Sequence, residues 1–216
     1  MKRSLFALAL AAALPVSAQA GELDYSFVEL DLARMNVDAD GADIDPTGWA
    51  LKGSGKVSKS FYVFGGYSGV SDDVADLDVD VNLTQVGVGW RHAVSDNADF
   101  NAELSYIHQS IDIGENIPLP GSPPPCGCGG TGGGGFIPNE SYEANGYRVS
   151  GGFRGAMADN FEGWVKANYT DGNQFDGDFS GTIGGQVKFG GMWGITAEGE
   201  FGGDYDLYTI GVRANF

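Results

Sequence analysis

From Val28 onward, apolar and polar residues alternate one for one in segments of about ten residues, and nothing else in the chain restricts its fold as tightly. A period of two is that of an extended strand with chemically different faces. The segments are joined by two kinds of connection in turn. Short ones fall at Ser58 to Ser60, Ser95 to Ala98, Ala158 to Asn160 and Gly190 to Met192. Longer ones, acidic or rich in Gly and Pro, fall at Val37 to Pro46, Ser71 to Asp80, Asp112 to Glu140, Asp171 to Asp178 and Gly202 to Asp206. Short turns on one side and long loops on the other are the pattern of a transmembrane β-barrel, short at the periplasm and long outside. The expectation is an all-β, antiparallel transmembrane barrel of ten strands, or eight if the Gly-rich stretch around Gly184 is irregular.

A soluble β-sandwich also alternates, so the decisive question is which face carries the charge. Val28, Leu30 and Leu32 share one face and Glu29 and Asp31 the other; Trp49, Leu51 and Val57 oppose Lys52 and Lys56. Val88 and Trp90 oppose Arg91, and Phe100, Leu104 and Tyr106 oppose Asn101 and Glu103. Arg148 and Arg154, then Lys166, Lys188, Glu198, Glu200 and Arg213, continue the polar set. Of the ten basic residues after position 20, only Arg34 and Lys59 fall outside it. Charges so clustered on one parity belong inside a barrel, where each needs a partner. The expected lumen network is therefore Glu29, Asp31, Lys52, Lys56, Arg91, Glu103, Arg148, Arg154, Lys166, Glu198, Glu200 and Arg213. Hairpin closure at Ser95 to Ala98 pairs Arg91 with Glu103. A lumen filled in this way leaves little room for a wide pore.

Both chain ends agree with export. Lys2 and Arg3 precede an apolar run from Leu5 to Val16 and then Ala18-Gln19-Ala20, the signature of a secretory signal peptide cleaved after Ala20. The run is short of the roughly 20 residues of a membrane helix. Residues 1–20 are thus expected to be removed and 21–216 to form the barrel domain. The last segment, LYTIGVRANF, alternates and ends in Phe216. The chain resembles the small outer-membrane β-barrels of the OmpA transmembrane-domain, OmpX and OmpW type. In that resemblance, such a strand with a terminal aromatic is the signal read by the barrel-assembly machinery, and the cell outer membrane is the location. Asp45 to Ser68, DPTGWALKGSGKVSKSFYVFGGYS, is similar to an Ax-type subgroup of small barrels.

The formal net charge of -17 argues against nucleic acid as a partner. Most of the acids lie in or beside the long loops, which places the negative charge at the cell surface. Asp38, Asp40, Asp43 and Asp45 supply oxygen ligands on a Gly-containing loop, but not at EF-hand spacing, so solvated acids and weak divalent binding that bridges to lipopolysaccharide both remain open. The longest loop, 112–140, holds PLPGSPPPCGCGGTGGGGF, which can be neither helix nor ladder strand. Its Cys126 and Cys128 lie in an oxidising compartment and can form a disulfide, stay free, join another chain or hold a soft metal.

One segment admits enzymology. In YIHQS, His108 and Ser110 share the lipid-facing parity of Leu104 and Tyr106, and this resembles the His-x-Ser of lipid A deacylase barrels, with Glu140 or Glu143 as acid. The alternative places His108 in the interfacial belt and Ser110 at the start of the loop. No nucleophile elbow, phosphate loop or zinc spacing is present, and no cofactor is expected. The expected function is a structural or surface-interaction role, contacting outer-membrane lipid, lipopolysaccharide and a host or surface ligand. A narrow porin-like channel and a lipid A deacylase are the alternatives.

Overall fold

A computed structural model describes residues 23–39, 42–44, 46–74, 77–115, 140–174, 176–202 and 205–216. Its strands are β1 (Phe27–Ala39), β2 (Ala42–Ile44), β3 (Thr47–Lys56), β4 (Phe61–Val74), β5 (Leu77–Ser95), β6 (Ala98–Glu115), β7 (Glu140–Ala158), β8 (Phe161–Gly172), β9 (Asp178–Phe189), β10 (Trp193–Phe201) and β11 (Tyr205–Asn215). Each pairs antiparallel with its sequence neighbour, except that β2 pairs only with the end of β1, and β11 returns to pair with β1 from Phe27↔Asn215 to Val37↔Tyr205. The result is a closed ten-stranded barrel plus the three-residue β2. Closure removes the edge strands that an open sheet would present. β9 runs unbroken through Gly184 and Gly185, so the eight-stranded alternative does not hold.

All four short turns fall where the alternation breaks. In the last of them Gly190 and Gly191 have φ of 63° and 79°, a left-handed conformation that favours glycine. The outer connections are shorter than the sequence suggested. Val74 is followed by β5 at Leu77, so the expected loop Ser71 to Asp80 is mostly ladder; β6 likewise continues through Glu115 and β7 begins at Glu140. The reason is that acids alternate with Val and Ile there, as in LDVDV. Ladder hydrogen bonds and a half-apolar face outweigh the low strand propensity of Asp.

Strand heights are unequal. At about 3.3 Å per residue, the 19 residues of β5 span about 60 Å and the nine of β10 about 30 Å. Only the latter matches a tilted crossing of an apolar band about 25 Å tall. β4 to β7 therefore rise past that band as a wall on one side of the barrel.

Candidate functional site: the lumen

Outward residues are apolar over the band: Leu30, Leu32, Val86, Leu104, Val149, Ile195 and Ile210 are all more than 45% exposed. Inward residues are charged. Glu29 and Asp31 are 2% and 1% exposed, Arg154 and Arg213 6% and 5%. A water-soluble sandwich would reverse this arrangement. The chain is a closed ten-stranded antiparallel β-barrel with an apolar outer face and a charged lumen.

The lumen charges form four groups. In the first, Lys52 Nζ lies 3.1 Å from Glu198, 3.2 Å from Asp31 and 3.4 Å from Glu29, while Arg213 binds Glu29 from the other side. Trp164 Nε1–H donates to Glu198 at 2.6 Å. In the second, Lys166 Nζ sits 2.9 Å from both oxygens of Glu103, which also accepts from the Tyr62 hydroxyl at 2.6 Å. In the third, Glu162 receives Arg154 at 2.5 Å and pairs with Lys188. In the fourth, Arg148 pairs with Glu200 at 3.0 Å and donates to Thr170 and Tyr205. Such pairs persist in a dry interior because each charge has both a counter-ion and directed hydrogen bonds.

Glycines make room for the larger inward side chains. Tyr62, Trp164 and Asp31 each lie directly opposite a glycine in the ladder, at Gly89, Gly184 and Gly211. A Cβ on any of these glycines would approach the facing side chain to 2.5 Å or less, so each side chain lies flat across its neighbouring strand.

A cluster of buried residues stands at the inner end of the lumen. The segment entering β1 carries Leu23 and Tyr25, 4% and 2% exposed, against Tyr62, Ala156 and Phe64. The Tyr25 ring lies between the guanidiniums of Arg91 and Arg154, 5.0 and 4.8 Å from its centroid. Its hydroxyl donates to Asn101 at 2.8 Å. Burial pushes the Tyr25 phenol above its usual range, which keeps that proton in place. Its parity with Glu29 puts Tyr25 inside.

Above this cluster a cavity of about 310 Å³ runs from Tyr25 and Tyr62 to Val81 and Gln109. Its inner end is charged. Toward the outer end Met35, Val70, Val81, Leu83 and Leu207 point inward, and Ile107 is buried on the same parity. On the outside of this same stretch stand Asp80, Asn82, Ser110 and Asp112. The polarity of β5 and β6 thus inverts along each strand.

Ten of the twelve expected lumen charges lie in these groups, and Arg91 pairs separately with Asp99. Lys56 is displaced: it ends β3 at the inner rim and is exposed. The expected Arg91–Glu103 pairing is also corrected. Ser95↔Ala98 closes the hairpin with a register shift beside it, so Arg91 stands opposite Asn101 and pairs with Asp99 at 3.2 Å. Sequence reasoning missed Asp99, Glu162 and Trp164. Parity alone finds Glu162, four residues before Lys166; Trp164 escapes it because aromatics suggest lipid contact.

His108 and Ser110 face outward as expected. His108 stands opposite Asn145 and Ser110 opposite Glu143. The His108 Nδ1 meets Asn145 Oδ1 at 2.9 Å, which also accepts from Tyr106 at 2.5 Å. This is a belt contact of the kind repeated around the outer rim, where Tyr67 donates to Asn82 and Tyr147 to Asp171. Among the described contacts none joins His108 to Ser110. His92 stacks on Trp90 at the inner rim, at 5.7 Å between centroids. Phe216 is 67% exposed there, with its N–H donating to Ser26. Cys126, Cys128, Asp40 and Asp45 lie outside the described residues; Asp38 and Asp43 are register partners between β1 and β2. No metal-binding group of three or more His, Cys, Asp or Glu occurs among the described residues.

No family model and no curated protein sequence matches the chain. Solved barrels match it in architecture. The attachment invasion locus protein Ail of Yersinia pestis is 14% identical, covering 90% of this chain and 100% of that one with a TM-score of 0.43. The KdgM porin is 12% identical over 87% and 99%, with a TM-score of 0.44. The translocator domain of the autotransporter NalP from Neisseria meningitidis is 11% identical over 100% and 95%, with a TM-score of 0.48. These likenesses concern the barrel fold alone.

Proposed function

We propose that the protein is an outer-membrane barrel, closed to through-passage, that acts at the cell surface as a structural and interaction element. The observation that carries this reading is the inner mouth, where Tyr25 is held between two guanidiniums over a floor of ion pairs. A channel for small solutes would need that floor to be open. Export by removal of residues 1–20, assembly through the terminal Phe216 and contact of the outer Tyr–Asn–Asp belt with lipopolysaccharide complete the proposal. The acidic outer residues would face the environment or a host ligand.

Planar-bilayer recording of the folded full chain tests it. We expect no resolved conductance steps from protein whose unboiled gel band runs ahead of the boiled one. Regular steps would replace this reading with the narrow channel. The outward His108 is bound by Asn145, which favours a belt role over a catalytic one. Ser110→Ala is accordingly expected to leave the lipid A mass spectrum of expressing cells unchanged; loss of a deacylated species would restore the enzyme.

A further inference from the structure

We propose that the lumen cavity binds a small neutral saccharide, a single sugar ring seated on Phe64 among Ser68, Gln85 and Gln109. The site lies above the Leu23–Tyr25 cluster, so it stands whether or not the inner end passes solutes.

Charge selects the class of ligand first. Five cationic side chains line the cavity, and each is already paired with a carboxylate, as Lys52 is with Glu198 and Lys166 with Glu103. An ionic ligand of either sign would have to break one of these pairs and leave its partner buried without a counter-ion, which is strongly unfavourable. A neutral ligand has no such cost.

The lining selects next. Ser68, Leu83 and Gln109 are successive partners across β4, β5 and β6, so a hydroxyl, an aliphatic side chain and an amide stand in one row facing the cavity. Two residues along β5, Gln85 also lines the cavity, and its Nε2–H donates to Ser105 Oγ at 2.8 Å. Ser105 is 4% exposed and fixes that amide, which leaves Gln85 Oε1 as an acceptor with no partner among the described residues. The Gln109 amide and the Ser68 hydroxyl likewise bond no other described residue. An aliphatic tail in this space would strand those groups.

Phe64 supplies the platform. It stands opposite Gly87, and a Cβ on that glycine would approach the ring to 2.6 Å, so the ring lies across β5 and lines the cavity from the wall. A sugar ring carries the matching surface, with C–H groups on its face for Phe64 and Leu83 and hydroxyls on its edge for the two amides. Aromatic side chains with a few placed polar groups are the usual lining of a ligand pocket. The volume, about 310 Å³, is at the lower end of the ~300–1,000 Å³ of such pockets, which suits one ring rather than an oligomer.

Saturation-transfer difference NMR on the full folded chain, in nanodiscs free of lipopolysaccharide, tests the site. Methyl glucoside is the neutral probe, glucosamine and glucuronate are its charged counterparts, and cyclohexanol is an apolar ring of similar size. We expect the strongest transfer to methyl glucoside, concentrated on its ring C–H protons, and an apparent affinity about tenfold weaker in Gln85→Leu and in Phe64→Leu. Gln109→Leu replaces either variant should it lose the heat-modifiable gel band. Equal transfer to all four probes, or an unchanged affinity in the folded variants, would reduce the signal to non-specific contact and overturn the site. Preference for a charged sugar would overturn its neutral character, and preference for cyclohexanol would overturn its polar anchors.

Discussion

Strand β5 is two strands joined end to end. From Val86 to Trp90 its outward residues are apolar and its inward partners are Gly87, Gly89 and Arg91; from Asp80 to Leu83 the outward residues are Asp80 and Asn82 and the inward ones Val81 and Leu83. The backbone register to β4 and β6 runs through the change without a shift. What changes is the solvent on the outside. Against lipid, the chain puts hydrocarbon outward and must satisfy its charges internally; against water, it does the opposite. The same wall therefore turns Arg91 inward at its lower end and Val81 and Leu83 inward at its upper end, and these ends should respond differently to mutation.

The largest difference is expected from single members of the ionic lower end. Arg213→Ala leaves Glu29 and Asp31 with Lys52 as their main counter-charge in a site under 3% exposed. Removing one partner of a buried pair costs about 3–5 kcal/mol. A fall of that size in urea-unfolding stability, measured on the folded barrel in detergent, is the expected outcome. Leu207→Ala, toward the upper end, is expected to cost less than the roughly 2–5 kcal/mol of a filled core, because it borders existing empty space. Equal losses would erase the distinction.

Tyr25→Ala is next. It removes the ring between Arg91 and Arg154 and the donor to Asn101, at a cost of about 3 kcal/mol. On the closed-barrel proposal it should also introduce resolved conductance steps in a planar bilayer. A variant that folds and stays closed would place the barrier deeper, at the ion pairs of Lys52 and Lys166.

How much of this was legible beforehand follows the same division. In the lipid-facing half, alternation gave strand number, turn positions and eleven inward charges, because lipid enforces parity at every residue. Pairings were less legible: Arg91 was matched to Glu103 by counting from the turn, and the shift between Ala93 and Ser95 moved it to Asp99. In the outer half, the sequence reads Ser71 to Asp80 as an acidic loop. Its signal was present as an inversion of phase, but acids alternating with valine resemble a solvated loop until a partner strand is known. Tyr25 and Trp164 were hidden by a different rule, since aromatics in such barrels normally face the interface.

Glycine substitution gives a finer test of the packed half. A Cβ at Gly89 would stand 2.1 Å from the Tyr62 ring, whereas a Cβ at Gly55 would meet nothing within 4 Å. Tyr62 also donates to Glu103 at 2.6 Å and packs beside Tyr25 at 4.8 Å, so it has little freedom to retreat. Gly89→Ala is expected to cost about 1–3 kcal/mol by overpacking.

Gly55→Ala should be near neutral or slightly stabilising, through the reduced entropy of the unfolded chain.

The smallest expected effect lies on the outer belt. Tyr106→Phe removes a hydroxyl that donates to Asn145 at 2.5 Å and leaves the ring in place. Asn145 Oδ1 keeps its contact with His108 Nδ1, so no acceptor is stranded. The loss should be under about 1 kcal/mol, the net worth of one replaceable hydrogen bond at a half-wet boundary. Asn145→Leu takes the acceptor from both Tyr106 and His108 and should exceed it. If the two variants prove equal in unfolding midpoint, the imidazole contributes nothing there, and His108 is released from the belt role that argues against catalysis.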